Sequence, residues 1–332
     1  MSNKFLIALL KDYEQKKLKA EIACDLHKKE LYIKYPKLQE IDDQMAKAGF
    51  WTIKNKLSKD SKNFDLVSYL NTLQVQKNEL IATLNIKLEE LSPNYECKLC
   101  SDTGYISNNG TSPVLCTCIK QKLIELSIDK SNLNKTNTEN FSTFNINKFS
   151  NENDLNIPVS PRQNILNIKK RAIEFVENFD NPNNRNLLFT GNTGLGKTFM
   201  SNCIGAEVIK RGKTVLYQTA PLLLDNVIAY KMERDKSNLF NIYDAILDSD
   251  LLIIDDLGTE SLNSMKLSEL FNIINSRILQ PDKKTIISTN LNINQIFKNY
   301  EERIGSRIVG YYDLYQFYGS DLRFGNKHTK TK

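Results

Sequence analysis

The sequence predicts an α/β fold, a three-layer sandwich around a parallel sheet, preceded by a helical N-terminal region. Two observations predict this. After residue 163, short and almost wholly apolar runs alternate with helical stretches, which is typical of parallel strands covered by helices on both faces. Before residue 93 the chain has no glycine ahead of Gly49, and its only proline is Pro36. Such a segment favours helix.

Residues 1–93 form the predicted helical region. Apolar residues recur there at helical spacing, at Leu73, Leu80, Leu84 and Leu91. Pro36 is expected to separate two helical stretches, and Pro93 to end the last one. Such helices either pack on themselves as a small bundle or present a surface for a partner protein. The sequence leaves both alternatives open.

Residues 94–125 are predicted to be a zinc knuckle. Cys97 and Cys100 form a C-x₂-C pair, and Cys116 and Cys118 form a C-x-C pair. Four thiolates on two tight turns can surround Zn²⁺ tetrahedrally and complete its coordination, so the site would be structural rather than catalytic. The two other cysteines, Cys24 and Cys203, are expected in helical cores.

Residues 126–160 are predicted to be a linker, and residues 161–332 the α/β domain. The linker is rich in Asn, Ser and Asp, and Phe141, Phe144 and Phe149 are expected to dock onto the α/β domain. The domain begins with a helix over about residues 163–179. Its predicted strands are NLLFT at 186–190, TVLYQ at 214–218, DLLIIDD at 250–256 and KTIIST at 284–289.

A phosphate-binding loop comes directly after the first of these strands and opens a helix. It reads GNTGLGKT and matches G-x-x-x-x-G-K-[ST]. Its residues are Gly191, Asn192, Thr193, Gly194, Leu195, Gly196, Lys197 and Thr198. The backbone N–H groups and the helix N-terminus suit phosphates. Lys197 is expected on the β- and γ-phosphates of ATP, and the Thr198 hydroxyl on Mg²⁺.

Two acids end the strand LLIIDD, which delivers them to the same edge of the sheet. Asp255 is expected to hold Mg²⁺ through its water shell, and Asp256 to orient the attacking water. The strand IIST ends at Asn290, a neutral donor suited to positioning that water without adding charge. A later helical stretch, ERIGSRI, places Arg303 and Arg307 one turn apart.

Together these segments resemble the AAA+ ATPases, in particular the bacterial helicase loaders of the DnaC/DnaI type and their IstB-type transposase-helper relatives. LLIIDDLGTE, VLYQTAPLLLD and ERIGSRI are similar to the family's acid strand, second strand and arginine-finger helix. In ERIGSRI, Arg307 would be the finger and Arg303 its neighbour, although the roles could be exchanged. The segment DLR resembles the closing sensor-2 segment and makes Arg323 a phosphate-sensing candidate.

Three positions depart from the family pattern. Prolines are more common in the family where Asn192 and Thr193 stand, and many AAA+ proteins have Glu where Asp256 stands. A shorter acid holds water less closely, which suits a slow, switch-like ATPase stimulated by a partner or by DNA.

The resemblance implies that the protein loads a hexameric replicative helicase onto single-stranded DNA during replication initiation. ATP state would control grip and release, and self-association would run through the ATPase domain. Lys231 and Arg234 are the candidate DNA contacts, and other primosome proteins are further candidate partners. Related loaders mix Cys and His at the zinc site, so His27 is an alternative ligand to one of the four cysteines.

Composition and charge fit an intracellular protein. The net charge is +6 with 25% charged residues, which permits contact with nucleic acid without requiring it. The apolar run at residues 5–10 is too short for an export signal or a membrane span. The sequence therefore predicts a cytoplasmic protein without a membrane segment.

The sequence leaves two other functions open. One is a transposase-helper ATPase, against which the zinc-bearing N-terminal region argues. The other is a nucleotide-gated adaptor that binds ATP and a partner with negligible hydrolysis.

Overall fold

A computed structural model describes residues 3–57, 66–107, 113–127, 139–152, 159–232 and 242–323. The chain divides into two compact units. One comprises Ile7–Cys116, and the other comprises Met1–Leu6 together with Thr117–Lys332. The four-part division expected from the sequence stays a prediction.

The unit Ile7–Cys116 is helical, with a small hairpin after the helices. Its elements are α1 (Asn3–Lys34) from Ile7 onward, α2 (Pro36–Leu57), α3 (Leu66–Thr83), a 3₁₀ turn (Leu88–Leu91), β1 (Tyr105–Ile106) and β2 (Val114–Leu115). Pro36 separates the first two helices, as predicted. Leu38 of α2 and Leu73 and Ile81 of α3 are buried, so these helices share a core.

The third helix ends earlier than the sequence predicted. It ends at Thr83 rather than near Pro93, so Leu84 and Leu91 lie beyond it. Asn85 takes a left-handed conformation with φ of 56°, and the Ile86 N–H donates back to the Ile81 carbonyl. Asn tolerates this conformation, which closes a helix C-terminus. A local turn therefore stops the helix before the proline is reached.

The second unit is built on a five-stranded sheet. Its helices are α4 (Thr117–Ser127), α5 (Pro161–Glu177), α6 (Lys197–Lys210), α7 (Ala220–Met232), α8 (Ile242–Asp248), α9 (Ser264–Ile278) and α10 (Ile293–Tyr311). Its strands are β3 (Asn186–Thr190), β4 (Val215–Thr219), β5 (Leu251–Leu257), β6 (Lys284–Thr289) and β7 (Tyr312–Gln316). The strands run parallel in the order β4-β5-β6-β3-β7.

Helices cover both faces of the sheet. On one face, α5 and α6 pack with Phe149 against side chains such as Leu187 and Ile253. On the other, α7, α8, α9 and α10 pack against residues such as Leu252 and Ile287. Strand side chains alternate between faces, so wholly apolar strands need both layers. The predicted three-layer α/β sandwich is confirmed.

No helix in the described ranges is long and apolar enough to cross a lipid bilayer.

Candidate nucleotide site

The phosphate loop connects β3 to α6. It requires glycine at two positions where another part of the chain comes close to its backbone. Gly191 and Gly194 have φ of 134° and 80°, in the region that disfavours side chains. A Cβ at Gly191 would overlap the carbonyl oxygen of Phe317, and one at Gly194 would overlap the carboxylate of Asp321. The chain after β7 therefore folds directly against the loop.

Lys197, the first residue of α6, reaches into the bend of the loop. Its Nζ donates to the carbonyl oxygens of Gly191 and Asn192 at 2.6 and 2.8 Å, and to Asn290 Oδ1 at 2.8 Å. Burial lowers the pKa of Lys197, and the nearby acids Asp256 and Asp255 act against this shift. The Lys197 ammonium group thus connects the residues that follow β3 with Asn290, which follows β6.

Asp255 lies at the carboxyl edge of the sheet and accepts three hydroxyl hydrogen bonds. Thr198 Oγ1 donates to its Oδ2 at 2.8 Å, and the hydroxyls of Tyr217 and Ser288 also donate to it. Its side chain is almost fully buried. A hydroxyl beside a carboxylate is a hard-oxygen pair of the kind that Mg²⁺ prefers. Thr198 and Asp255 therefore fit a magnesium ion and its water shell.

Asp256 turns out of the strand and faces the cavity. Its φ of 54° is unusual for a residue with a side chain, and β5 has an irregular register with β6 between Ile254 and Leu257. Burial, and then the adjacent Asp255, raise the pKa of Asp256. Backbone strain of this kind persists where the surroundings enforce it, and it often marks functional sites.

The turn after the two acids is fixed by Glu260, which sequence reasoning did not single out. This buried carboxylate accepts from the Gly258 N–H at 2.9 Å and from the Tyr300 hydroxyl. Tyr300 belongs to α10, so Glu260 connects the acid turn to the helix that carries the arginines. The acid lies in the segment LLIIDDLGTE, but only the fold brings Tyr300 to it.

A cavity of about 590 Å³ lies in front of the phosphate loop. Asp256, Asn290 and Arg323 line it together with residues 193–199. Its other wall consists of Glu139, Thr143, Phe144, Asn145, Lys148 and Phe149. The three phenylalanines dock as expected from the sequence, since Phe149 is in the core while Phe141 and Phe144 pack against it. That this segment walls the nucleotide cavity was not apparent from the sequence.

Arg323 reaches the same cavity from the C-terminal segment. The Leu322 N–H donates to the Gly194 carbonyl at 3.0 Å, which anchors this segment to the phosphate loop. Arg323 Nε lies 3.3 Å from Asp321 Oδ1. The predicted phosphate-sensing arginine therefore lies beside the loop, held by an acid that sequence reasoning did not single out.

Arg303 and Arg307 do not line this cavity. Helix α10 is broken at Glu301, whose φ of 64° and ψ of 158° are not helical. Arg303 pairs with Glu301 at 2.9 Å and stacks 4.9 Å from the ring centroid of Phe271. Arg307 Nε donates to Asn275 Oδ1 at 3.0 Å. Both arginines belong to α10 and contact residues of α9, and neither lines the cavity.

Of the two candidate DNA contacts, only Lys231 lies in the described part of the chain. Its Nζ lies 2.6 Å from the buried carboxylate of Glu269 and 5.3 Å from the ring centroid of Tyr243. DNA would have to compete with this ion pair. Arg234 lies outside the described residues.

The four predicted zinc ligands come together. The sulfurs of Cys97, Cys100, Cys116 and Cys118 all lie within 4.8 Å of one another, and the Cys97–Cys116 distance is 3.9 Å. Sulfurs bound at about 2.3 Å to one tetrahedral zinc lie roughly 3.8 Å apart, so the donor set and its spacing fit this metal.

Asp102 and His27 differ in their relation to the cluster. The buried Asp102, missed from the sequence, accepts from the N–H groups of Glu96 and Cys97 at 2.9 and 2.8 Å and so shapes the first turn. His27 lies against Glu90 and Glu30 at 3.5 and 3.8 Å, and it is not part of the cluster.

Comparison with known proteins places this site in a family. The family model described as IstB-like ATP binding protein matches residues 121–305. The ATP-binding protein of insertion sequence IS1162 from Pseudomonas fluorescens is 28% identical over 106 residues, 32% of this chain and 44% of that protein. The replicative helicase loader DnaC of Escherichia coli strain K12 is 26% identical over 143 residues, 43% of this chain and 57% of DnaC.

The similarity covers only part of each relative's sequence. This chain spans about half of each of these two relatives. A crystal structure of the DnaC helicase loader aligns with a TM-score of 0.45 at 20% identity, covering 55% of this chain and 99% of that one. The family match contains the phosphate loop, both acids, Asn290 and Arg303, whereas the cysteine cluster precedes it and Arg307 and Arg323 lie beyond it.

Proposed function

Since the chain belongs to the family of IstB-like ATP binding proteins, we propose that it is a slow ATPase that loads a replicative DNA helicase. Its ATP state would control the grip on a hexameric helicase and on single-stranded DNA during replication initiation. The observation that carries the proposal is the meeting of Lys197, Asn290 and the Thr198–Asp255 pair at one sheet edge.

The phosphate chemistry can be derived from these contacts. Lys197 is held on carbonyl oxygens and on Asn290, so its charge is aimed into the loop where the β- and γ-phosphates would lie. Bound magnesium would neutralise phosphate charge between Thr198 and Asp255. Arg323 supplies a second cation at the cavity wall. Binding of ATP by this site thus rests on residues 191–198, Asp255 and Arg323.

Hydrolysis needs a group that orients the attacking water. Asp256 and Asn290 both line the cavity, one with a carboxylate and the other with a neutral amide. The carboxylate would accept a proton from water, and the amide would position it without added charge. The short Asp256 side chain fits a slow rate that a partner or DNA stimulates.

Self-association would complete the site. Arg307 and Arg303 lie on the α9 side, outside the nucleotide cavity of their own chain. An arginine placed there can stabilise γ-phosphate charge only in a neighbouring subunit. We therefore assign Arg307 as the finger, with Arg303 as the alternative, and the ATPase domain as the surface of self-association.

The helical unit is the proposed helicase-binding part. Leu18, Ile22 and Leu26 succeed one another at one-turn spacing along α1, and each is about half exposed. An apolar stripe of this kind suits the groove or helix of a partner protein. Other primosome proteins are further candidate partners.

Capture of the replicative helicase tests the proposal. The full chain, immobilised, is expected to retain the purified hexameric helicase, and the retained amount should differ between ATP and no nucleotide. Lys197→Ala should remove that difference while keeping its fold. Equal retention with and without ATP would count against control by nucleotide, and no retention against helicase loading.

A transposase-helper ATPase is the second candidate, favoured by the insertion-sequence relative and the family name. Such a helper would bind a transposase instead of the helicase. Retention of the helicase in the capture experiment separates the two functions.

Zinc is expected to be bound at one ion per chain under reducing conditions. Cys100→Ser should lose the metal, unfold the knuckle and weaken helicase binding, because the remaining segment has little apolar core. ATP binding should persist, since the nucleotide cavity lies in residues 139–323. Cys24→Ala is the matched control, because this buried cysteine lies on α1 outside the cluster. Metal analysis that finds no zinc in the wild-type chain would refute the site.

A further inference from the structure

Three hydroxyls of the described residues donate to Asp255, and that of Tyr217 comes from β4, the strand at one edge of the sheet. Asp255 lies on β5, between β4 on one side and β6 on the other. Ser288 reaches it from β6, and Tyr217 reaches it from β4. Tyr217 pairs in register with Ile253, two residues before the acid on the same face of the sheet. Its ring therefore extends along the strand to the carboxylate.

The hydroxyl of Tyr217 is specific to this contact. The side chain is buried, and a phenylalanine would fill the same space without the hydrogen bond. Asp255 has no ion-pair partner within the ranges that the structure describes, so hydroxyl donors alone hold its two oxygens there. Removing one donor would free the carboxylate to turn.

The strand that carries Tyr217 is fixed at its edge. Gln121 of α4 donates to the Val215 carbonyl at 3.1 Å and accepts from the Val215 N–H at 2.8 Å. One side chain thus satisfies both outward backbone groups at the start of β4, where an open edge would otherwise be exposed. Tyr217 is two residues further along this held strand.

We propose that Tyr217 is a positioning residue for the magnesium–nucleotide site, holding Asp255 in the orientation that supports the ion and its water. The inference deepens the proposed ATPase function and rests on it. Groups that orient metal-supporting carboxylates commonly contribute about 10–100-fold to metal affinity or activity.

Magnesium-dependent nucleotide binding tests the role of this hydroxyl. Binding of a fluorescent ATP analogue to the full chain is measured with EDTA and then over increasing free Mg²⁺. For Tyr217→Phe, the Mg²⁺ concentration that gives half of the binding gain is expected to rise about 10-fold. Binding in EDTA should equal that of the wild type, because the phosphate loop is intact.

Tyr312→Phe is the matched control, a buried tyrosine on β7 at the opposite edge of the same sheet. It should titrate like the wild type. An unchanged Mg²⁺ requirement in Tyr217→Phe would overturn the inference, as would a loss of binding in EDTA, which would indicate a packing role. A wild-type chain that binds no nucleotide in either condition would instead refute the proposed function itself.

Discussion

Asp256→Ala is expected to bind ATP as tightly as the wild type and to hydrolyse it about 10²–10⁴-fold more slowly. Asp256 lines the cavity, whereas Asn290 is the side chain that accepts the hydrogen bond of Lys197. Removal of Asp256 therefore spares the groups that would hold phosphate and magnesium, and it takes away the carboxylate that would orient water. Binding is measured by titration and hydrolysis by single-turnover cleavage of ATP.

Two variants serve as controls for this experiment. Lys197→Ala should weaken ATP binding or abolish hydrolysis, because the phosphates lose their main cation. Asp248→Ala removes an exposed acid of α8 that does not line the nucleotide cavity, so it should behave as the wild type. Normal turnover in Asp256→Ala would show that another group orients the water.

Arg307→Ala is expected to leave the ATP affinity of the single chain unchanged. The rate of hydrolysis that depends on assembly or DNA should fall by a factor of about 10³–10⁵. The guanidinium lies on Asn275, outside the cavity of its own chain. In the proposed role it would therefore contact the ATP of a neighbouring subunit. ATPase rates are measured over a range of protein concentrations, with and without single-stranded DNA.

A mixing experiment separates a shared site from a structural role. Arg307→Ala keeps its phosphate loop, and Lys197→Ala keeps its arginine. A mixture of the two should recover part of the activity at mixed interfaces. Near-normal activity of Arg307→Ala alone would exclude it as the finger. If Arg303→Ala complements Lys197→Ala and Arg307→Ala does not, Arg303 is the finger.

The four strands whose residues are buried on both faces could be predicted closely from their apolar runs. NLLFT and KTIIST correspond to β3 and β6 residue for residue, whereas β4 and β5 begin and end one residue later than predicted. The edge strand β7 was missed. Its residues YDLYQ include Leu314, which is half exposed, so no continuous apolar run marks the strand.

The phosphate loop and the strand-end acids could be placed from sequence because their spacing is local. Lys197 and Thr198 lie at fixed offsets from the glycines, and Asp255 ends an apolar strand. Contacts between distant segments leave no such pattern. The Tyr217–Asp255 bond joins residues 38 apart, and the Glu260–Tyr300 bond joins residues 40 apart. The pairing of β4 with β5, which no pattern in the sequence indicates, brings the first pair together.

The wall of the nucleotide cavity illustrates the same limit. Phe144 and Phe149 were expected to dock, because aromatics in a polar segment need a surface to cover them. Which surface they cover depends on how residues 139–149 run beside α6, where Phe144 meets Phe199 at 5.7 Å between ring centroids. The sequence pattern predicts that these aromatic side chains dock, whereas the surface on which they dock depends on the tertiary packing.

Single-turnover hydrolysis of ATP by the full chain is the most direct test of the central claim that this is an ATPase site. With enzyme in excess over ATP and Mg²⁺ present, the wild type is expected to cleave ATP slowly and to cleave it faster with single-stranded DNA. The rate of ATP cleavage by Lys197→Ala gives the background rate. A wild-type rate equal to that background, with and without DNA, would contradict the account and indicate a nucleotide-gated adaptor.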